Sequence, residues 1–266
     1  MELQEILAKV EPMARQAGAI LKEHFGKPEA HTKKGDVDLL SEADKASEAY
    51  LLAVLKEAFS AYAVIGEEGS DYHPGAGAPD YYWYIDPLDG TTNFVHGLPH
   101  FSVSIALAGI DRRPVLGVVY DPLRDECFTA YQGGGAFLNG QPLRVSQAEK
   151  LVDSLVVTGF PYDRRTSPEN NLKAFNAMLL RAQGVRRIGS AALDLAYVAA
   201  GRLDGYWEMK LHMWDCYAGI VLVQEAGGRV TDYRESEQLL YQKHPQVLAT
   251  NGKIHNEMSV VLVTAR

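Results

Sequence analysis

Strand-rich segments up to about residue 150, strand–helix alternation after it and two long amphipathic helices at the front predict a layered sheet-and-helix protein of mixed α+β and α/β class. The first helix is read from Leu3, Ile6, Leu7, Val10, Met13, Ala14, Ala17, Ile20, Leu21 and Phe25, which keep a helical period, with Gly26 suited to its C-terminal cap. Pro12 falls inside the pattern and predicts a kink there or a later true start. Residues 31–40 are polar and charged, the mark of a loop or a short hairpin. Ser41 then opens a second helix to about Phe59, with Leu51, Leu52, Leu55 and Phe59 on its apolar face.

Strand patterns follow at 63–65, 81–85, 101–107, 115–120 and 127–131. Residues 71–80, with Pro74, Gly75, Gly77 and Pro79, read as a surface loop, and Asn139-Gly140 as a hairpin turn. Gly133-Gly134-Gly135 precedes no helix and is read as a bend at a strand end rather than a phosphate loop. Beyond residue 150 come a strand at 155–157, a helix opened by Ser167-Pro168, a helix at 191–200 closed by Gly201, and one at 215–226 closed by Gly227-Gly228. A soft boundary near residue 150 divides 1–150, an α+β half, from 151–266, an α/β half, within one compact unit without a flexible linker.

Composition excludes several function classes. The 266 residues are 47% hydrophobic and 23% charged, enough for a sizeable core. With 26 basic against 34 acidic residues, the formal charge of -8 argues against nucleic acid or an anionic membrane as partner. Cys127 and Cys216 give neither a disulfide framework nor a zinc spacing and read as free thiols. There is no run of eighteen apolar residues, and the opening Met1-Glu2-Leu3-Gln4-Glu5 is acidic where a signal peptide needs basic residues. A soluble cytoplasmic protein is expected.

The chemistry concentrates in Asp86-Pro87-Leu88-Asp89-Gly90-Thr91-Thr92-Asn93-Phe94, directly after Trp83-Tyr84-Ile85. Two carboxylates three residues apart around a proline can converge on one side of a tight turn and present oxygen ligands to a hard cation such as magnesium. The Leu88 carbonyl could add an oxygen, and the amides after Gly90 could cradle a phosphate. A lone motif of this kind is most often only a turn, so its company matters. Glu67 and Glu68 follow Val64-Ile65-Gly66 at a strand end; Asp215 follows Trp214, where its plain role is a helix N-cap; Asp44 lies three residues after Ser41, where its plain role is a capping-box acid.

Together these segments resemble the inositol monophosphatase family across nearly the whole chain. Gly66-Glu67-Glu68 is similar to its metal motif, the run from Trp83 to His96 to its central signature, Gly189-Ser190-Ala191-Ala192 to its substrate loop, and Trp214-Asp215 with Ala218-Gly219 to its C-terminal signature. The resemblance implies an α-β-α-β-α sandwich, a homodimer, lithium sensitivity and two or three Mg²⁺ ions, with most metal ligands in the first half and Asp215 and the substrate loop in the second. By the same resemblance, Glu67, Asp86 and the Leu88 carbonyl would hold one ion, and Asp86, Asp89 and Asp215 a second. A weaker third ion would involve Glu67, and Glu68 is a reserve ligand. Thr91, paired with Asp44, would orient the attacking water. The amides of Gly90 and Thr91 would hold the phosphate; Asp89, Gly189, Ser190, Ala191 and Glu208 would contact the alcohol; Lys33 would lie near the site.

The implied activity is Mg²⁺-dependent hydrolysis of a small phosphate ester, myo-inositol monophosphate first. Fructose 1,6-bisphosphate or another sugar or nucleotide phosphate is the alternative, and a regulatory binding protein that keeps the fold is a second. His96 and His100 are expected in packing or turn roles, His212 as shaping the site, and Trp83 and Trp207 in the core. No P-loop is present to support an ATP-dependent phosphotransferase.

Overall fold

A computed structural model describes residues 1–27, 31–33, 39–75 and 77–265, without the side chains of 31–33 and 39–40; the Lys33 side chain therefore lies outside the described residues. Helix α1 (Leu3–His24) continues through the position of Pro12, so the later start does not occur. Pro12 sits on the exposed side, while Ile6, Val10, Ala14, Ala17 and Leu21 are wholly buried. That inward stripe holds the helix across the one missing backbone donor. A short hairpin of β1 (His31–Lys33) and β2 (Leu39–Ser41) leads into α2 (Glu42–Ala58). Ser41 and Asp44 form the anticipated capping box: Asp44 N donates to Ser41 Oγ at 3.3 Å, and Ser41 N to Asp44 Oδ2 at 2.8 Å.

Seven strands then form one sheet in chain order, interrupted once by a short helix: β3 (Ala63–Gly66), β4 (Tyr81–Asp89), α3 (Thr91–Val95), β5 (Ser102–Gly109), β6 (Pro114–Asp121), β7 (Glu126–Tyr131), β8 (Gly135–Leu138) and β9 (Gln141–Pro142). Only β3 and β4 pair in parallel; the other neighbours are antiparallel. The period-two alternation sorts side chains cleanly. Trp83, Ile85, Val103, Ile105 and Val118 face α1 and α2, and Tyr84, Ala106, Val119 and Phe128 face the opposite way.

The remainder builds a five-stranded sheet from β10 (Leu155–Thr158), α4 (Leu172–Leu179), β11 (Gly184–Arg186), α5 (Ala191–Ala199), β12 (Gly205–Glu208), α6 (Met213–Glu225), β13 (Arg229–Thr231), β14 (Val247–Thr250) and α7 (His255–Thr264), with strand order β11-β10-β12-β14-β13. Val157, Tyr206 and Ala249 share a core with α5, α6 and one face of the first sheet; Val156, Trp207 and Leu248 pack with α4 and α7 on the other side. The layers are thus α1/α2, sheet, α5/α6, sheet, α4/α7: an α-β-α-β-α sandwich. Helix α6 explains its own position in the middle, because the eight residues 216–223 are all buried, and a helix that is apolar all round must be enclosed. Each of its Ile, Val and Leu side chains contributes about 1.5–3 kcal/mol by leaving water.

Two expected helix starts differ. No helix opens at Ser167-Pro168, because Ser167 Oγ accepts from Glu169 N at 3.2 Å in a local turn. Asn171 then adopts φ 70 before α4 begins, its side chain drawn inward to the Gly159 carbonyl and the Trp207 indole. Helix α6 starts at Met213 with His212 as its cap, so Asp215 is the third helical residue and not the N-cap; its Oδ2 accepts from His212 N at 2.7 Å. Trp83 and Trp207 are fully buried, as expected of core residues, and both cysteines are free and buried. No helix among the described residues is long and apolar enough to cross a membrane.

Candidate active site

The two carboxylates of the central motif do not sit on a tight turn after a strand but within β4 itself, and the motif then passes through Gly90 into α3. Asp86 pairs with Ser104 and Asp89 with Ser102, so three steps along β4 oppose two along β5. The extra residue is a bulge, which tolerates Pro87 and breaks the alternation. Asp86 and Asp89 consequently line the same chamber, of about 280 Å³, together with Glu67, the Leu88 backbone, Thr91 and Asp215. Asp86 is steadied by Leu88 N, which donates to its Oδ1 at 2.9 Å.

Three further segments are pinned to this bulge. Glu48 of α2, 1% exposed, accepts from Glu68 N at 2.8 Å and Ser70 N at 3.1 Å, and so shapes the turn that carries Glu67 into the chamber. Ser104 Oγ donates to the Trp214 carbonyl at 2.9 Å and fixes the first turn of α6, with Asp215, against β5. Asn93 Nδ2 donates to the carbonyls of His100 at 2.8 Å and Ile188 at 2.9 Å, which brings the loop before α5 beside α3. Asp89 completes that join, accepting Ser190 Oγ at 2.5 Å, Ala192 N at 2.8 Å and Ala191 N at 3.3 Å. Gly90 stands between the two with φ 100, and a Cβ there would lie 3.2 Å from the Gly189 and His100 carbonyl oxygens.

Thr91 Oγ1 lies 3.2 Å from Asp44 Oδ1 and 3.1 Å from the Leu88 carbonyl, so the Thr91–Asp44 pair is present. Glu67 faces the chamber; Glu68, the reserve ligand, is not among the described lining residues. A wider cleft of about 390 Å³ continues from Asp89, Gly90 and Thr91 past Gly189, Ser190 and Ala191 to Glu208. The Glu208 carboxyl packs directly against Gly159, where any side chain would displace it, and Tyr206 donates to its Oε2 at 2.8 Å. His212 lines both spaces with its ring stacked on Trp214, centroids 4.5 Å apart.

Burial dominates the electrostatics. It holds Asp86 well above the ordinary carboxylate range, with the charges of Glu67, Asp89 and Asp215 pushing the same way. Asp215 is raised by burial and by Glu67, against the His212 amide. Burial lifts Asp89 to about 6 although Ser190, Ala192, Ala191 and Arg187 oppose it, and lifts Glu208 to about 7 against Tyr206 and Arg187. These carboxyls crowd one another, yet among the described residues no three His, Cys, Asp or Glu side chains form a ready-made cage.

Three residues of this region had not been singled out in the sequence: Glu48, Arg187 and Asp194. The signal for Glu48 was available, since Asp44, Glu48, Leu51 and Leu55 form one helical stripe in which two acids continue a buried apolar face.

The inositol monophosphatase family model matches residues 2–265. The chain is 47% identical over 247 residues to an inositol-1-monophosphatase of Synechocystis, covering 92% of this chain and 84% of that one. It is 46% identical over 223 residues to the Nus factor SuhB of Pseudomonas aeruginosa, covering 83% and 81%. Among solved structures, the inositol monophosphatase of Anabaena superposes with a TM-score of 0.88 at 42% identity, covering 99% of this chain and 97% of that one. The suhB protein of Bartonella henselae gives 0.90 at 37%, covering 97% and 98%. The same layers, the same extent and this degree of identity lead to one assignment: the chain belongs to the inositol monophosphatase family and is a phosphatase of that type.

Proposed function

We propose that this chain hydrolyses the phosphate monoester of a small polyol, myo-inositol monophosphate first among candidates, with Mg²⁺ held by Glu67, Asp86, the Leu88 carbonyl, Asp89 and Asp215. The donor set supports this reading: it is all oxygen and mutually repelling, with Asp86 and Asp89 buried and Glu67 and Asp215 half-buried, which suits a hard divalent cation better than a soft one. Bound there, Mg²⁺ would offset the charge of the phosphate, acidify water and stabilise the leaving alkoxide.

The chain's own groups supply position. Asp44 can only accept while ionised, so the Thr91 hydroxyl donates towards it or towards Leu88 O and turns a lone pair to the incoming water. That fixes the line of attack, which in-line displacement requires. The amides of Gly90 and Thr91 would hold the phosphate oxygens. Asp89, Gly189, Ser190, Ala191 and Glu208 line the continuous path on which the alcohol would lie.

The observation that carries the proposal is the meeting of Glu67, Asp86, Asp89 and Asp215, from three separate stretches of chain, beside the Thr91–Asp44 pair. It is tested by phosphate release from myo-inositol 1-phosphate, fructose 1,6-bisphosphate, adenosine 3′,5′-bisphosphate and NADP, with Mg²⁺ and with EDTA. Mg²⁺-dependent release from the inositol ester at the highest kcat/KM is expected. Arg164, Arg187 and Lys210 on the cleft wall favour a bisphosphate as the second reading, and release fastest from fructose 1,6-bisphosphate would select it. The P. aeruginosa relative named as a Nus factor supports a regulatory role in addition or instead. Folded protein that releases no phosphate from any ester would leave that role alone standing.

A further inference from the structure

Asp194 lies in the first turn of α5, 1% exposed, and borders the wide cleft, as Glu208 does. Its Oδ1 is buried without a hydrogen-bond partner among the described residues. Folded proteins rarely leave a buried carboxyl oxygen unpaired unless something else completes it. The neighbouring acceptors differ in what they have left to offer. Asp89 accepts from Ser190, Ala191 and Ala192, and the rest of its carboxylate faces the metal chamber. Glu208 gives Oε2 to the Tyr206 hydroxyl, and its Oε1 remains available. Asp194 and Glu208 are close enough for their charges to interact, and Arg187 acts on both as the countercharge. The Arg187 guanidinium itself lies over Gly189, 2.8 Å from where a Cβ would stand, so it closes the site from the substrate-loop side.

Two carboxyl acceptors lining one cleft, each with an oxygen to spare, can receive two hydroxyls of one bound alcohol. We propose that Asp194 is a specificity-determining residue which, together with Glu208, accepts hydrogen bonds from two hydroxyls of the leaving alcohol, so that the cleft selects phosphorylated polyols over phosphate esters lacking further hydroxyls. The inference rests on the phosphatase reading of the site and narrows its substrate class. Its logic is that of a site built to receive hydroxyl donors: an ester without them leaves buried acceptors unpaired and is rejected.

The test compares kcat and KM for myo-inositol 1-phosphate and phenyl phosphate in the Mg²⁺-loaded wild type, Asp194→Ala and Asp194→Asn, with melting curves to verify folding. The wild type should favour the inositol ester. In Asp194→Ala the ratio of kcat/KM between the two esters should fall by about 10- to 100-fold, chiefly through KM for the inositol ester. Asp194→Asn keeps the side-chain volume but replaces one acceptor with a donor, and should lower the same ratio at least about threefold. If the alanine variant does not fold, the asparagine variant decides. An unchanged ratio in the folded variants, whatever their absolute rates, overturns the proposal and leaves the phosphatase reading intact. So does a wild type that hydrolyses phenyl phosphate without preferring the polyol ester. A wild type that releases phosphate from neither ester overturns the reading of the site itself, and this inference with it.

Discussion

Thr91 Oγ1 lies 3.2 Å from Asp44 Oδ1, and the other oxygen of that carboxylate is already bound to the N-terminus of α2 through Ser41. One side chain therefore caps a helix and holds Thr91 of the chamber wall at the same time. Asp44→Asn should lower kcat by about 100-fold with KM little changed, the size expected when a positioned proton acceptor is lost. Steady-state kinetics checks this, and an effect confined to KM would contradict the role beside Thr91. Asp44→Ala should in addition lose about 1–2 kcal/mol of stability with the cap, visible in urea unfolding.

Asp89→Asn retains an oxygen for Ser190 Oγ and the Ala192 amide but removes the charge that faces the chamber. Turnover should drop by about 1,000-fold or more, while the far-UV spectrum and melting point stay near wild type. Near-normal turnover would sink the assignment of Asp89 as a metal ligand.

Glu48 holds the backbone of the turn that carries Glu67, through the amides of Glu68 and Ser70. Glu48→Ala orphans two amides, at a cost of about 1–3 kcal/mol for each that water cannot reach. Because Glu67 loses its support, the Mg²⁺ concentration for half-maximal activity should rise. A titration showing the wild-type requirement would mean that the turn holds its shape unaided.

His255 is enclosed between Thr231, at 2.8 Å, and Thr250, at 2.9 Å, and burial lowers it to about 4; His100 is lowered to about 4 by burial as well. The unfolded chain binds these protons near pH 6.5 and the folded chain only near 4. Stability is therefore full above the upper value and declines as pH falls across that window, by on the order of 3 kcal/mol per histidine. The urea midpoint should drop steadily between pH 6.5 and 4, and His255→Gln should flatten part of that slope. A midpoint independent of pH across this window would refute the buried, neutral state.

The layers were legible because alternation and helical period survive almost everywhere: Trp83 and Tyr84 part to opposite faces just as a strand requires. The contiguous motif from Asp86 to Thr91 was legible as chemistry but not as geometry, since nothing local distinguishes a turn from a bulge whose form depends on pairing with Ser102 and Ser104. Helix starts failed where a side chain had a distant partner to satisfy. Asn171 answers to Trp207, which no window around residue 171 contains. Asp194 and Arg187 escaped notice for the same reason, their meaning residing in Glu208 and Asp89, which are distant in the chain or lie beyond any local window.

Helix α6 is enclosed between the two sheets and also carries Asp215 at its first turn. Chemistry and assembly are thereby coupled. If the polypeptide were severed between Pro142 and Leu155, after the first sheet and before the second, neither fragment would hold the full carboxylate set, and each would leave the greasy flank of a shared interior open to water. Phosphate release would return only on recombination of the two pieces, making catalysis a readout of their docking.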